Sequence, residues 1–180
     1  MIIDRIELMR LIEGGTQRLV DAVGRLADED VRLPSSLPGW SRGHVLTHIA
    51  RGGDALRNLL VWARTGVVTP PYASQRARDA DIEAGSGRPV AELLADVSAS
   101  AARFRAEAGT LQGDDWQVSV GVLGSMMFPA EQVLVRRLVE IEVHHVDLGI
   151  GYGASDWPEE FAAMDLPEPM RSQREERRSW

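Results

Sequence analysis

The stretch from about Pro129 to Leu148, PAEQVLVRRLVEIEVHHVDL, constrains the fold of this chain more than any other. On an α-helix each residue advances by about 100°. Val133, Leu134, Leu138, Ile141 and Leu148 then share one arc, and Val135, Val139, Val143 and Val146 another. A helix that is apolar nearly all round belongs at the centre of a domain, covered by other elements. This one nevertheless carries Glu140, Glu142, His144, His145 and Asp147. An ionised group in such a place is costly unless it meets a cation or hydrogen-bond donors.

The covering elements are also helical in pattern. Residues from about 3 to 27 place Ile6, Met9, Leu19, Val23 and Leu26 near helical spacing. In SRGHVLTHIARGGDALRNLLVWARTG, Ser41 suits an N-cap and Gly66 a helix stop. A third long helix is predicted from about Pro89 to Ala108, since proline suits a helix start. RDADIEAG reads as a short helix or turn, Gly113 to Phe128 as loop or short extended structure around Trp116, and DWPEEFAAMD as a short helix from Asp156. Four long helices without convincing paired strands define an all-α, four-helix bundle with sites between facing helices. Residues 1–163 are assigned to the bundle. Residues 164–180 are assigned to a polar, flexible tail, because PEPMRSQREERRSW lacks apolar periodicity.

A formal net charge of -7 argues against nucleic acid or an anionic membrane as a partner. No apolar run reaches the roughly 18 residues of a membrane span. The N-terminus MIIDRIELMR lacks the apolar core of a signal peptide, so the expected location is the cytoplasm. Cysteine is absent, so a metal would be held by His, Asp or Glu, and any thiol must arrive with a cosubstrate. The sequence is compatible with a homodimer.

All four histidines, His44, His48, His144 and His145, fall in two helices. His48 lies on the flank of the stripe formed by Val45, Ile49, Leu56, Leu59 and Leu60, and His44 lies farther out. Capping or packing would account for both, although the positive end of the helix dipole favours neutral, ligand-competent imidazole there. The central helix offers two pairings, Glu140 with His144 and Glu142 with His145. The second is the E-x-x-H of di-iron bundles, which need a second such motif that this chain lacks. Glu140 and His144, joined by His48, would form a His2Glu set with an open coordination position, as catalytic zinc sites have. There is no H-E-x-x-H, and no G-x-S-x-G supports a nucleophile at Ser41 or Ser125.

LPGWSRGHVLTHIARGGDAL, followed about ninety residues later by RLVEIEVHHVDLG, resembles the N-terminal domain of mycothiol-dependent maleylpyruvate isomerases, within the DinB-like four-helix bundles. RDADIEAGSGRP and WPEEF extend the likeness. The resemblance implies a divalent metal, typically zinc, held by His48, Glu140 and His144. It gives His145 and Asp147 packing or supporting duty beside the ligands, leaves His44 as a pocket candidate, and moves Glu142 to the surface or an edge. It further implies mycothiol as thiol cosubstrate and a small electrophile as substrate, for isomerisation or S-transfer. Isomerases of this kind carry a further α/β domain with an arginine for the substrate carboxylate. RSQREERRSW is too short for that domain, and Arg171 and Arg174 are its candidates for the role. A non-catalytic metal- or small-ligand-binding module, acting as a partner or stress-response protein, is the alternative. A purely structural hydrogen-bond network is the third reading.

Overall fold

The computed structural model describes residues 3–122 and 126–180; Ser125 lies outside the described residues. Seven α-helices and one short hairpin make up the described chain, and the all-α bundle expected from the sequence is the architecture found. The four long helices are α1 (Arg5–Val23), α2 (Arg42–Thr65), α4 (Val90–Ala108) and α5 (Gln132–Asp147), with α3 (Gln75–Gly85) packed on α2. Helix α2 lies against α4 and α5, and α1 against α5 and α4, which closes a four-helix ring with α5 between α1 and α2.

Local chemistry sets the helix ends. Asp4 accepts the Glu7 N–H at 2.9 Å to start α1. Ser41 caps α2 as expected, and the His44 ring completes a capping box by accepting the Ser41 N–H at 3.2 Å. Gly66 ends α2 with φ 71°, a conformation that other residues adopt at a cost. Between α4 and α5 the chain forms strands β1 (Ser119–Gly121) and β2 (Met127–Pro129), antiparallel, with Val120 opposite Phe128. This pairing was not expected from the sequence, because three-residue strands are too short for an alternating pattern to register.

Two apolar clusters fill the bundle. One gathers Leu59, Phe104, Leu134 and Leu138, and the other Leu46, Ile49, Leu93 and Leu148. Arg137 links them: its Nη1 donates to the Ile49 carbonyl at 2.9 Å, and its guanidinium lies 6.0 Å from the Phe104 ring. Burial lowers the Arg137 pKa to about 10, and the Glu140 charge opposes that shift. Beside it the Ser100 hydroxyl donates to the Ala50 carbonyl at 2.6 Å, and the Cβ-less Gly53 lets α4 and Arg137 close on α2.

The segment after Leu166, expected to be a solvated tail, is instead docked. After the short α6 (Glu159–Ala162), helix α7 (Met170–Arg178) packs on α5. Its buried positions are Met170, Arg174 and Arg177, at one-turn intervals along a single face. Arg174 Nη1 donates to the carbonyls of Phe161 (2.9 Å) and Met164 (2.7 Å), satisfying backbone acceptors at the end of α6. Two of the three inward residues are arginines, so hydropathy reads the stretch as polar although hydrogen bonding buries it.

Gly53→Ala tests the close approach of α2 and α4. Alanine gains about 0.8–1.0 kcal/mol over glycine in a helix. A Cβ at position 53 would overlap the Ser100 hydroxyl and come 3.1 Å from Arg137 Cζ. Overpacking of this kind costs about 1–3 kcal/mol. The expected outcome is a net loss of stability, read as a lower urea midpoint; a gain would show that the contact is slack.

Candidate metal centre

The capped start of α2 and the last two turns of α5 bring three side chains together. His48 Nε2 lies 3.1 Å from His144 Nε2 and 3.2 Å from Glu140 Oε2, and the remaining side of the triangle, His144 Nε2 to Glu140 Oε2, is 3.4 Å. Among the described residues these form the one group of three or more His, Asp or Glu side chains with spacing suited to a cation. Glu140 Oε2 is buried and receives no well-directed hydrogen bond, although two imidazole nitrogens stand beside it. The two imidazole Nε2 atoms are in hydrogen-bond contact with each other, and Glu140 Oε2 stands beside both without a partner. Donors about 2.0–2.1 Å from a tetrahedral ion are about 3.3 Å apart, so the observed separations fit a zinc-sized divalent cation.

Neighbouring groups hold the cluster in place. His144 Nδ1 lies 2.7 Å from Asp147 Oδ2, so it donates there and presents its Nε2 to the cluster. Asp147 also accepts from Arg177 of α7, with Nε to Oδ1 at 2.9 Å and Nη2 to Oδ2 at 3.2 Å. Burial resists ionisation of Asp147, but His144 and Arg177 hold its carboxyl below the usual range. Burial also works against a charged His144; its hydrogen bond to Asp147 and the nearby Glu140 carboxylate outweigh this and raise its pKa to about 9. His48 goes the other way, lowered chiefly by burial. Burial likewise opposes ionisation of Glu140, and the two imidazoles overcome it, leaving the carboxyl well below its ordinary value. On the far side of the His48 ring, Arg78 Nη2 stands 3.3 Å from Nδ1.

A cavity of about 330 Å3 opens onto the cluster, with His48 and Glu140 in its wall. Leu56, Leu59 and Phe128 supply apolar surface, and Tyr72 and Arg136 supply polar groups. A larger cleft of about 640 Å3 lies away from the cluster, between α1 and the end of α4.

The other expected site residues divide. Asp147 does sit directly behind His144. His44 belongs to the α2 cap, with its Nδ1 at the Ser41 hydroxyl (2.7 Å) and its Nε2 at Glu83 (3.1 Å). It reaches the cluster only through Trp40, whose ring is stacked with His44 and edge-on to His48. His145, expected to pack or to support the ligands, packs: its ring stacks on Tyr152 at 3.8 Å, and its Nε2 is buried without a hydrogen bond. Burial, followed by the nearby Arg18 charge, lowers its pKa to about 4. Arg171 and Arg174 bond to backbone carbonyls of the α6–α7 region and do not line the cavity.

Glu142 is corrected outright. Its side chain is fully buried, with Arg18 Nη2 at 2.6 Å from Oε1 and the Tyr152 hydroxyl donating to Oε2 at 2.6 Å. A Cβ on Gly15 would come 2.6 Å from Oε1, so α1 passes this carboxylate with a glycine. The partners explain the correction: one is 124 residues away in sequence and the other lies beyond the end of α5. Sequence spacing could not pair them. Arg136 was missed for a different reason, since it precedes Glu140 by one turn and helical spacing alone puts it on the face of Glu140 and His144.

With this geometry in view, comparison with known proteins is informative. The family description "Mycothiol maleylpyruvate isomerase N-terminal domain" matches residues 12–149. The chain belongs to this family. Two solved structures resemble it, a crystal structure of the mycothiol-dependent maleylpyruvate isomerase (31% identity) and one of a histidine-to-alanine mutant of that enzyme (30% identity). Each superposes with a TM-score of 0.83 and covers 88% of this chain. The chain spans 66% of the length of those structures. No curated protein matches significantly. The family match takes in all three cluster residues and Asp147, whereas α6 and α7 lie beyond it. No helix among the described residues is long and apolar enough to cross a membrane.

The link from α7 to Asp147 can be measured. Arg177→Met keeps most of the bulk and removes the guanidinium from the Asp147 carboxylate, whose side chain has 0% exposure and which then keeps only His144. Removing one partner of a buried pair costs about 3–5 kcal/mol. A fall of that order is expected in urea unfolding, and a loss below about 1 kcal/mol would show that the docking of α7 does not depend on the pair.

Proposed function

We propose that this protein binds one divalent metal ion through His48, Glu140 and His144, and uses it to activate a thiol, mycothiol in the first instance, towards a small electrophile. The reaction class is isomerisation of that electrophile or S-transfer to it. The observation that carries the reading is the triangle of three donor atoms 3.1–3.4 Å apart, facing a cavity and leaving one coordination direction open. Membership of the isomerase domain family supports the choice of thiol and reaction.

A divalent cation held there, most simply zinc, would supply the positive charge that makes a bound thiol a thiolate near neutral pH. The chain's own residues do the rest. Asp147 fixes the orientation of the His144 ring and its Nδ1 proton, so that Nε2 is the nitrogen that would meet a cation. His48, lowered by burial, presents a neutral ring; a cation held at Nε2 would leave the ring proton on Nδ1, where Arg78 now stands. Glu140 offers a permanent anion to a cation. Leu56, Leu59 and Phe128 exclude water and provide apolar surface for the carbon skeleton of the electrophile. The chain contains no cysteine, so the thiol comes from solution.

The test is metal analysis of wild type, His48→Ala and Glu140→Ala, with thiol titration of the cobalt-substituted protein. About one ion per chain is expected in the wild type and at least a tenfold weaker site in either variant. Adding mycothiol should produce a sulfur-to-cobalt charge-transfer band. Wild-type protein that takes up no divalent metal, or variants that bind it as tightly as wild type, would refute the proposal.

A further inference from the structure

The wall of the cavity holds a cation that the bundle leaves unmatched. Arg136 sits one turn before Glu140 on α5, so Arg136, Glu140 and His144 follow at four-residue intervals along one face. Its guanidinium lies over the Phe128 ring, with Cζ 3.8 Å from the centroid. Its Nη2 donates only to the Met126 sulfur, at 3.2 Å, and its Nε is buried without a partner. Among the described residues it forms no ion pair, although other arginines around the bundle do, such as Arg51 and Arg88 with Asp96 and Arg103 with Asp54. Desolvating a guanidinium without a counter-ion is unfavourable. The ring beneath offsets part of that cost and holds the plane, while the N–H edge stays free for an oxyanion.

We infer that Arg136 is an anion-binding residue of this cavity, and that it is the group that holds a carboxylate of the electrophile. Phe128 clamps the guanidinium, and its in-plane donors take the carboxylate oxygens side by side. One helical turn, about 6 Å along the axis, separates Arg136 from Glu140. A carboxylate held at Arg136 therefore places carbons a few bonds away beside the donor triangle. Charge balance points the same way, on the proposed metal and thiol chemistry: a divalent cation, the Glu140 carboxylate and a thiolate sum to zero, and the charge of Arg136 is left for the electrophile to meet. The pairing of Arg136 with the electrophile rests on that chemistry. The anion site itself does not.

The experiment is calorimetric titration of wild type, Arg136→Gln and Arg136→Lys with cinnamate and with its uncharged methyl ester, each with and without a chelator. A second arm uses 3-mercaptopropionate and its methyl ester, to learn whether a thiol supplies the carboxylate. In the wild type, cinnamate is expected to bind about tenfold tighter than its ester, the size of one charge-assisted hydrogen bond. The preference should vanish in Arg136→Gln and persist in reduced form in Arg136→Lys. If it appears only in the thiol arm, the anion site stands and the assignment to the electrophile is overturned. Equal binding of acid and ester, no binding of either, or a preference that survives Arg136→Gln overturns the inference. A preference that persists with chelator keeps the anion site even if no metal is ever found, which separates this outcome from failure of the metal proposal.

Discussion

Desolvation of the ionisable groups on α5 governs much of this structure. A charge withdrawn from water costs several kcal/mol unless a counter-charge or hydrogen bonds replace the lost hydration. Helix α5 is enclosed by the bundle and yet carries acids, histidines and arginines along most of its length. Three of its buried polar groups draw in something from elsewhere. Arg137 takes the Ile49 carbonyl, Glu142 takes Arg18 and Tyr152, and Asp147 takes Arg177. These bonds tie α1, α2, the segment after α5 and the C-terminal helix to the same central rod.

The candidate centre is where that solution is left incomplete. Glu140 and the two imidazoles face one another with no well-directed hydrogen bond to Glu140 Oε2, whereas Glu142, only two residues on, is fully paired. The contrast between two carboxylates of one helix separates a structural ion pair from a site that suits a cation. The path His144–Asp147–Arg177 then gives the C-terminal helix a bearing on the site that its distance in sequence conceals. Stability and ligand geometry are coupled there, because one carboxylate both anchors α7 and orients an imidazole.

Much of this was legible beforehand. The limits of α2 follow from Ser41 and Gly66, and the four-helix architecture from repeated 3.6-residue periodicity. The His48, Glu140 and His144 grouping was accessible because two members sit four apart on one helix and the third lies on the inward flank of another. Local rules failed where the partner was remote or the chemistry was disguised. Glu142 looked peripheral since Arg18 lies on α1, and the segment after Leu166 looked solvated since arginines, not aliphatic side chains, form most of its buried face.

By itself, then, the sequence determined the four long helices, which of them must be buried, and which residue types were available to hold a cation. Those properties follow from periodicity, capping and composition, all of which act within a turn or two of backbone. Only the tertiary structure decided which polar groups on α5 are satisfied and which are left facing a cavity. That choice depends on side chains brought within about 3 Å from distant parts of the chain, where the energy of a buried charge is settled by contact and not by neighbourhood in sequence.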